Sequence, residues 1–162
     1  SRLEGVGTPD VSSNAYRAMS ETGVAIPAAR RFRSYAYLAQ EAGNYRIACW
    51  GLLNAAWVCD DHGRRGRSAA VQCRQSALIS LDALNECDGQ LLPYPNFDGL
   101  IRLDLWRRTN QFDKVLNAGA LPSGQRYRHF YARIAGFQKL LASRSDSAGY
   151  WLNQALAAFD PS

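Results

Sequence analysis

The chain has 162 residues, 47% of them hydrophobic and 20% charged, with a net charge of +5. That balance excludes a disordered or low-complexity protein, and the length suits one ordinary domain that buries a core without metals or disulfides. No apolar run approaches the roughly 18 residues that a membrane span needs, so no membrane partner is expected.

Residues 1–26 are rich in glycine and serine and read as an arm or linker, with a short helix over Ser13–Glu21. They show neither a charged n-region nor an apolar h-region, so a cytoplasmic protein is expected. The sole methionine is Met19, which suggests a piece of something longer. From Pro27 onward the chain reads as a single α-helical domain, 27–162. Pro27 suits a first helical turn, and Phe32, Tyr35, Ala36, Ala39 and Ala42 follow at helical spacing until Gly43 stops the helix.

A second helix starts near Asn44. Tyr45, Ala48, Leu52, Ala55, Ala56 and Cys59 form one apolar stripe, while Ile47, Trp50, Leu53, Trp57 and Val58 make its other side apolar too. A helix that is apolar nearly all round is expected to be a buried central element. His62 and Gly63 end it. A third helix spans about Arg67–Glu86. The prolines at 93 and 95 make a rigid connector, after which Leu100–Trp106 mark a fourth helix and Gln111–Asn117 a fifth. Helices near Ser123–Ser143 and Asp146–Phe159 complete the chain. No segment alternates as a strand does, so the fold class is all-α, with antiparallel helical hairpins stacked in a short array.

The first hairpin resembles a tetratricopeptide repeat. It has Gly43 at the turn, Tyr45 two residues later, and Ala48 and Ala55 where two helices would cross. A weaker copy, Asn110-Gln111-Phe112-Asp113-Lys114-Val115, follows Leu103 and Trp106 but has no turn glycine. Positions 43 and 110 are 67 residues apart, near two periods of 34. A narrower resemblance is to an uncharacterised bacterial family with an N-terminal zinc ribbon and a tetratricopeptide-like C-terminal region. It is carried by the segments Leu52–Val58 and Leu100–Arg108, the latter continuing into Asn110-Gln111-Phe112. The ribbon's cysteine pairs are absent. The resemblance implies architecture and is nearly silent on activity.

Cys49, Cys59, Cys73 and Cys87 are spaced too widely for a zinc ribbon or a redox pair and read as buried apolar residues of a reduced protein. Cys59-Asp60-Asp61-His62 is the densest group of potential ligands, yet it reads better as a helix C-terminus whose aspartates are balanced by nearby arginines. Phosphate-binding, dinucleotide, nucleophile-elbow and zincin motifs are absent. Neither a catalytic residue, a metal nor a cofactor is therefore expected, and the chain reads as a non-enzyme.

Seventeen of the nineteen basic residues are arginines, which suit bidentate contacts to phosphate or carboxylate. Residues 30–67 carry +4 and 100–162 carry +5, with 68–99 at −3 between them. Arg30, Arg31 and Arg33 begin one helix, where cations oppose the macrodipole, and Arg64, Arg65 and Arg67 lie between two others. These six are the candidate partner-binding residues. Farther on, Arg126, Arg128 and His129 interleave with Tyr127 and Tyr131, but Tyr127, Phe130, Tyr131 and Ile134 read better as a core stripe. The expected function is a non-catalytic protein–protein interaction module, with a homodimer as one way to close the ends of the array. The alternative is nucleic-acid or nucleotide binding through the arginines, with affinity that falls steeply with salt.

Overall fold

The computed structural model of the chain describes residues 26–94, 96–121 and 127–158. Among them are seven α-helices and one 3-10 turn, and no strand. The fold is all-α. The expected helix over Ser13–Glu21 lies outside the described residues. The chain divides into two compact units, Ser1–Leu91 and Leu92–Ser162.

In the first unit, α1 spans Pro27–Glu41, α2 Tyr45–Asp61 and α3 Arg67–Glu86. Pro27 sits in the first turn of α1, as its fixed φ favours. At the other end Gly43 adopts φ +74°. Its N–H donates to the Gln40 carbonyl and that of Asn44 to the Ala39 carbonyl, so two otherwise orphaned carbonyls are satisfied and the chain reverses. Asn44 then caps α2 by accepting from the Ile47 N–H at 3.3 Å.

The reversal brings Gly51 of α2 against Ala36 of α1. A Cβ at Gly51 would lie 2.8 Å from the Ala36 Cβ and 3.2 Å from the Phe32 carbonyl oxygen, so the two backbones approach as closely as they do because both residues are small. α2 packs on α3 as well, and the Cys49 thiol donates to the Ala77 carbonyl at 3.6 Å. α2 is thus central, but one face of it is open: Trp57 is 46% exposed. The expectation of burial all round fails because α2 has neighbours on only part of its circumference.

In the second unit, α4 is Phe97–Arg108, α5 Phe112–Leu116, α6 Arg128–Ser143 and α7 Leu152–Ala157. Leu100 packs with Tyr131 and Ile134, Leu103 with Val115 and Ala142, and Phe137 and Leu141 with Ala155. α6 is common to all three groups. The stripe expected on α6 is only half buried, since Tyr127 and Phe130 are exposed. The turn after α4 repeats the one after α1 without a glycine. Asn110 takes φ +62°, its N–H donates to the Arg107 carbonyl, and the Gln111 N–H donates to the Trp106 carbonyl. The last helix is shorter than expected because residues 146–151 are held in extended and looped form by contacts to Arg107.

Candidate functional site

Ile26 and Ala29 at the start of α1 pack in one cluster with Ala55, Ala56 and Cys59 from the second half of α2 and with Ala70 and Cys73 from the start of α3. That cluster brings three helix ends together. The first turns of α1, which carry Arg30, Arg31 and Arg33, and the α2–α3 connection with the first residue of α3, which together carry Arg64, Arg65 and Arg67, therefore lie at one end of the first unit. Arg31, Arg64, Arg65 and Arg67 are exposed, while Arg30 and Arg33 are half-buried.

The connection owes its shape to its glycines. Gly63 takes φ +57° and opens the 3-10 turn Gly63–Arg65. Gly66 is buried, and a Cβ there would sit 1.8 Å from the Cys59 carbonyl oxygen. Only glycine lets the chain fold back so tightly on the end of α2. The consequence is that Arg64 and Arg65 are carried outward on a short, pinned turn. Glycine beside arginine serves the fold here.

Two aspartates share this end. Arg74 of α3, buried, grips Asp60 with both Nη atoms, Nη1 reaching Oδ1 at 3.2 Å. The sequence suggested that the loop arginines balance Asp60; the structure gives that task to Arg74, leaving Asp61 exposed beside the loop. His62 turns its Nδ1 back to the Val58 carbonyl at 2.9 Å. Seven arginines thus meet two aspartates here, and the potential is positive.

Beneath the arginines lie two thiols. Cys59 and Cys73 are fully buried and pack in the same cluster across α2 and α3. Burial pushes the Cys73 thiol up to about 11, with Cys59 adding in the same direction. Cys59 is raised by burial and by Asp60. The Arg33 guanidinium acts against both shifts, and its Nη1 is buried with no hydrogen-bond partner among the described residues. Cys87, expected to be buried, is exposed at the C-terminal end of α3. Among the described residues no three His, Cys, Asp or Glu side chains converge as a metal site would require, and no helix is long and apolar enough to cross a membrane.

The second unit contributes a cleft of about 550 Å³ between the segment after α5 and one face of α6. Arg128, Tyr131 and Lys139 line it, with Gly119, Ala132 and Gly136 as small walls. Lys139 Nζ donates to the Ala118 carbonyl at 2.7 Å, and burial raises the Tyr131 phenol. His129, the chain's other histidine, is exposed on the first turn of α6.

Sequence reasoning missed the open face of α2, although a signal was present. Arg46, Asn54 and Asp61 interleave with Trp50 and Trp57 along one stripe, and polar residues at those positions mark a side turned to solvent. It also missed Arg74, whose partner is fourteen residues away. No family model, curated protein or solved structure matches this chain.

Proposed function

We propose that the chain is a non-catalytic interaction module that holds a polyanionic partner against the arginine end of its first unit. The observation that carries this reading is the meeting of Arg30, Arg31 and Arg33 with Arg64, Arg65 and Arg67 at one end of three packed helices. Two chain segments more than thirty residues apart build one positive surface, with four of its six arginines exposed. The Arg33 Nη1, buried and without a hydrogen-bond partner among the described residues, adds a donor suited to an anionic acceptor. Planar guanidinium groups match phosphate or carboxylate oxygens two at a time.

The test is elution of the purified chain at low and high salt, read at 260 and 280 nm, followed by binding to immobilised heparin. Retention that salt reverses is expected, and Arg64→Ala/Arg65→Ala/Arg67→Ala should elute at lower salt. Passage of the wild-type chain through heparin at low salt overturns the reading.

A second reading, self-association or docking of a protein through the second unit, is favoured by Trp151, which is 80% exposed, beside Leu152 at 53%. Sedimentation equilibrium of the wild type and Trp151→Ser tests it: a dimer lost on substitution supports it, and a monomer in both discards self-association.

A further inference from the structure

We infer that the polyanion is a single-stranded nucleic acid, whose phosphates meet the arginine end while its bases stack on the open face of α2. The inference rests on the interaction reading above and narrows it to one class of partner.

The open face is a stripe of Arg46, Trp50, Asn54, Trp57 and Asp61, spaced by three or four residues along α2. Trp50 is half-buried and Trp57 is 46% exposed. Their rings lie 6.5 Å apart at 55°, so the two indoles form a corner with the Trp57 ring open to solvent. Between them in the stripe, Asn54 donates its side-chain N–H to the Trp50 carbonyl at 2.8 Å. A tryptophan left nearly half exposed on the most apolar helix of the unit forgoes part of the burial its ring could gain, and packing among the described residues gives no reason for it.

The stripe leads toward the arginines. Trp57 lies four residues before the end of α2, about 6 Å of helix rise, and Arg64 and Arg65 follow in the turn that Gly66 pins against Cys59. Asp61, exposed at the end of the stripe, opposes a phosphate at that point, so the backbone of a bound strand registers on Arg64 and Arg65 beyond it. An exposed aromatic ring beside guanidinium groups is what an unpaired strand needs, because its base faces are free to stack. In a duplex those faces are covered, and only phosphates and base edges remain. An acidic peptide satisfies the arginines and leaves the indole unused.

The test is fluorescence anisotropy with end-labelled oligouridylate of fifteen nucleotides, a hairpin duplex, and labelled polyglutamate, with heparin as competitor. The expected result is preference for oligouridylate, quenching of tryptophan fluorescence, and a loss of tenfold or more in Trp57→Ala, the scale of one stacked base. Trp57→Phe should retain most of the binding, which separates loss of a ring from loss of fold. Arg64→Ala/Arg65→Ala should flatten the salt dependence by about 1.4 log units of affinity per decade of salt, at 0.7 for each single-strand phosphate contact. Equal binding of all three probes with Trp57→Ala unchanged overturns the single-strand assignment and leaves the polyanion reading standing. Preference for polyglutamate also overturns it, in favour of an acidic peptide. Failure of every probe and of heparin overturns both.

Discussion

The Arg107 Nη1 of α4 donates to the Asp146 carbonyl oxygen at 2.8 Å, across 39 residues of chain. The same nitrogen reaches the Ala148 carbonyl at 2.7 Å, Nε donates to Gln138 Oε1, and Nη2 pairs with Asp104 at 3.0 Å. The Tyr150 ring lies 5.8 Å from the guanidinium carbon. Arg107 is 1% exposed, and every one of its nitrogens has a partner, so it acts as a strut that holds the segment between α6 and α7 to α4.

Arg107→Met keeps the volume and removes the donors, leaving the Gln138 oxygen and two carbonyls unsatisfied. A loss of about 3 kcal/mol in unfolding free energy is expected by urea titration. Arg107→Lys should fall between, because one ammonium cannot span acceptors set around a planar fork. A loss below about 1 kcal/mol in the methionine variant would mean that residues 146–150 hold their place without it.

Five of the described helices are followed by a residue in left-handed backbone, and two of these residues, Gly43 and Gly63, are glycine. Asp88, Asn110 and Ser145 take φ of +55°, +62° and +53°. The Ser145 N–H donates to the Ala142 carbonyl and the Asp146 N–H to the Leu141 carbonyl, the same pattern as at Gly43 and Asn44. A serine there carries a steric cost that glycine lacks, offset in part by the greater freedom of glycine in the unfolded chain. Ser145→Gly is expected to raise stability by about 0.5–1 kcal/mol. Asn110→Gly should gain less, since asparagine tolerates this conformation. Thermal unfolding measures both; destabilisation by Ser145→Gly would show that the turn is not formed as described.

These turns also explain which parts of the fold can be read from the chain. Arg67–Glu86 is legible because its apolar residues repeat with helical period and its ends carry breakers. The turn at Asn110 is legible in its place between two helices but not in its form, because asparagine is at home in many backbone states and its left-handed role appears only once the Trp106 carbonyl is in reach. The segment 146–151 looks helical by local pattern, and it is straightened by Arg107, a partner that no local window contains. The six arginines are visible in the sequence, but their meeting depends on α1 and α2 being antiparallel, so that residues 26–33 reach the level of residues 59–67. The exposed ring of Trp57 was hidden by the richness of α2 in apolar residues, which says that a helix is central without saying which of its sides has a neighbour.

The Cys59–Cys73 pair ties stability to alkaline pH. Burial holds the Cys73 thiol at about 11, against 9.0 in the unfolded chain, and Cys59 shifts the same way. Between these values the unfolded chain gives up protons that the folded one keeps. Stability from this pair is therefore complete below about pH 9 and declines as pH rises toward 11. Tyr131 and Tyr150 are raised too and add to the decline, so the comparison with Cys73→Ala isolates the thiol. Urea unfolding at four pH values from 8 to 11 should give a shallower fall in the variant, whatever its overall stability. Parallel curves would place the thiol in a wetter site than its burial implies.

At the acid end the informative pair is Asp146 and Tyr150. The Tyr150 hydroxyl donates to the Asp146 carboxylate and, with the Ala148 N–H at 2.8 Å, holds that carboxyl below its usual range, while the tyrosine's own phenol is raised by the same bond. A depressed carboxyl stabilises the fold above its unfolded value and stops doing so as pH falls through its folded one. Tyr150→Phe keeps the ring, which meets Phe137 edge-on at 5.5 Å, and removes only the donor. The Asp146 carboxyl should then titrate closer to the ordinary value by carbon-13 NMR, still lowered in part by the Ala148 N–H. The stability difference between wild type and variant should shrink as pH drops below the carboxylate range, since a protonated Asp146 no longer rewards the donor. An Asp146 titration unchanged by the substitution would mean that the Tyr150 hydroxyl prefers water in solution, and that Arg107 alone tethers this segment.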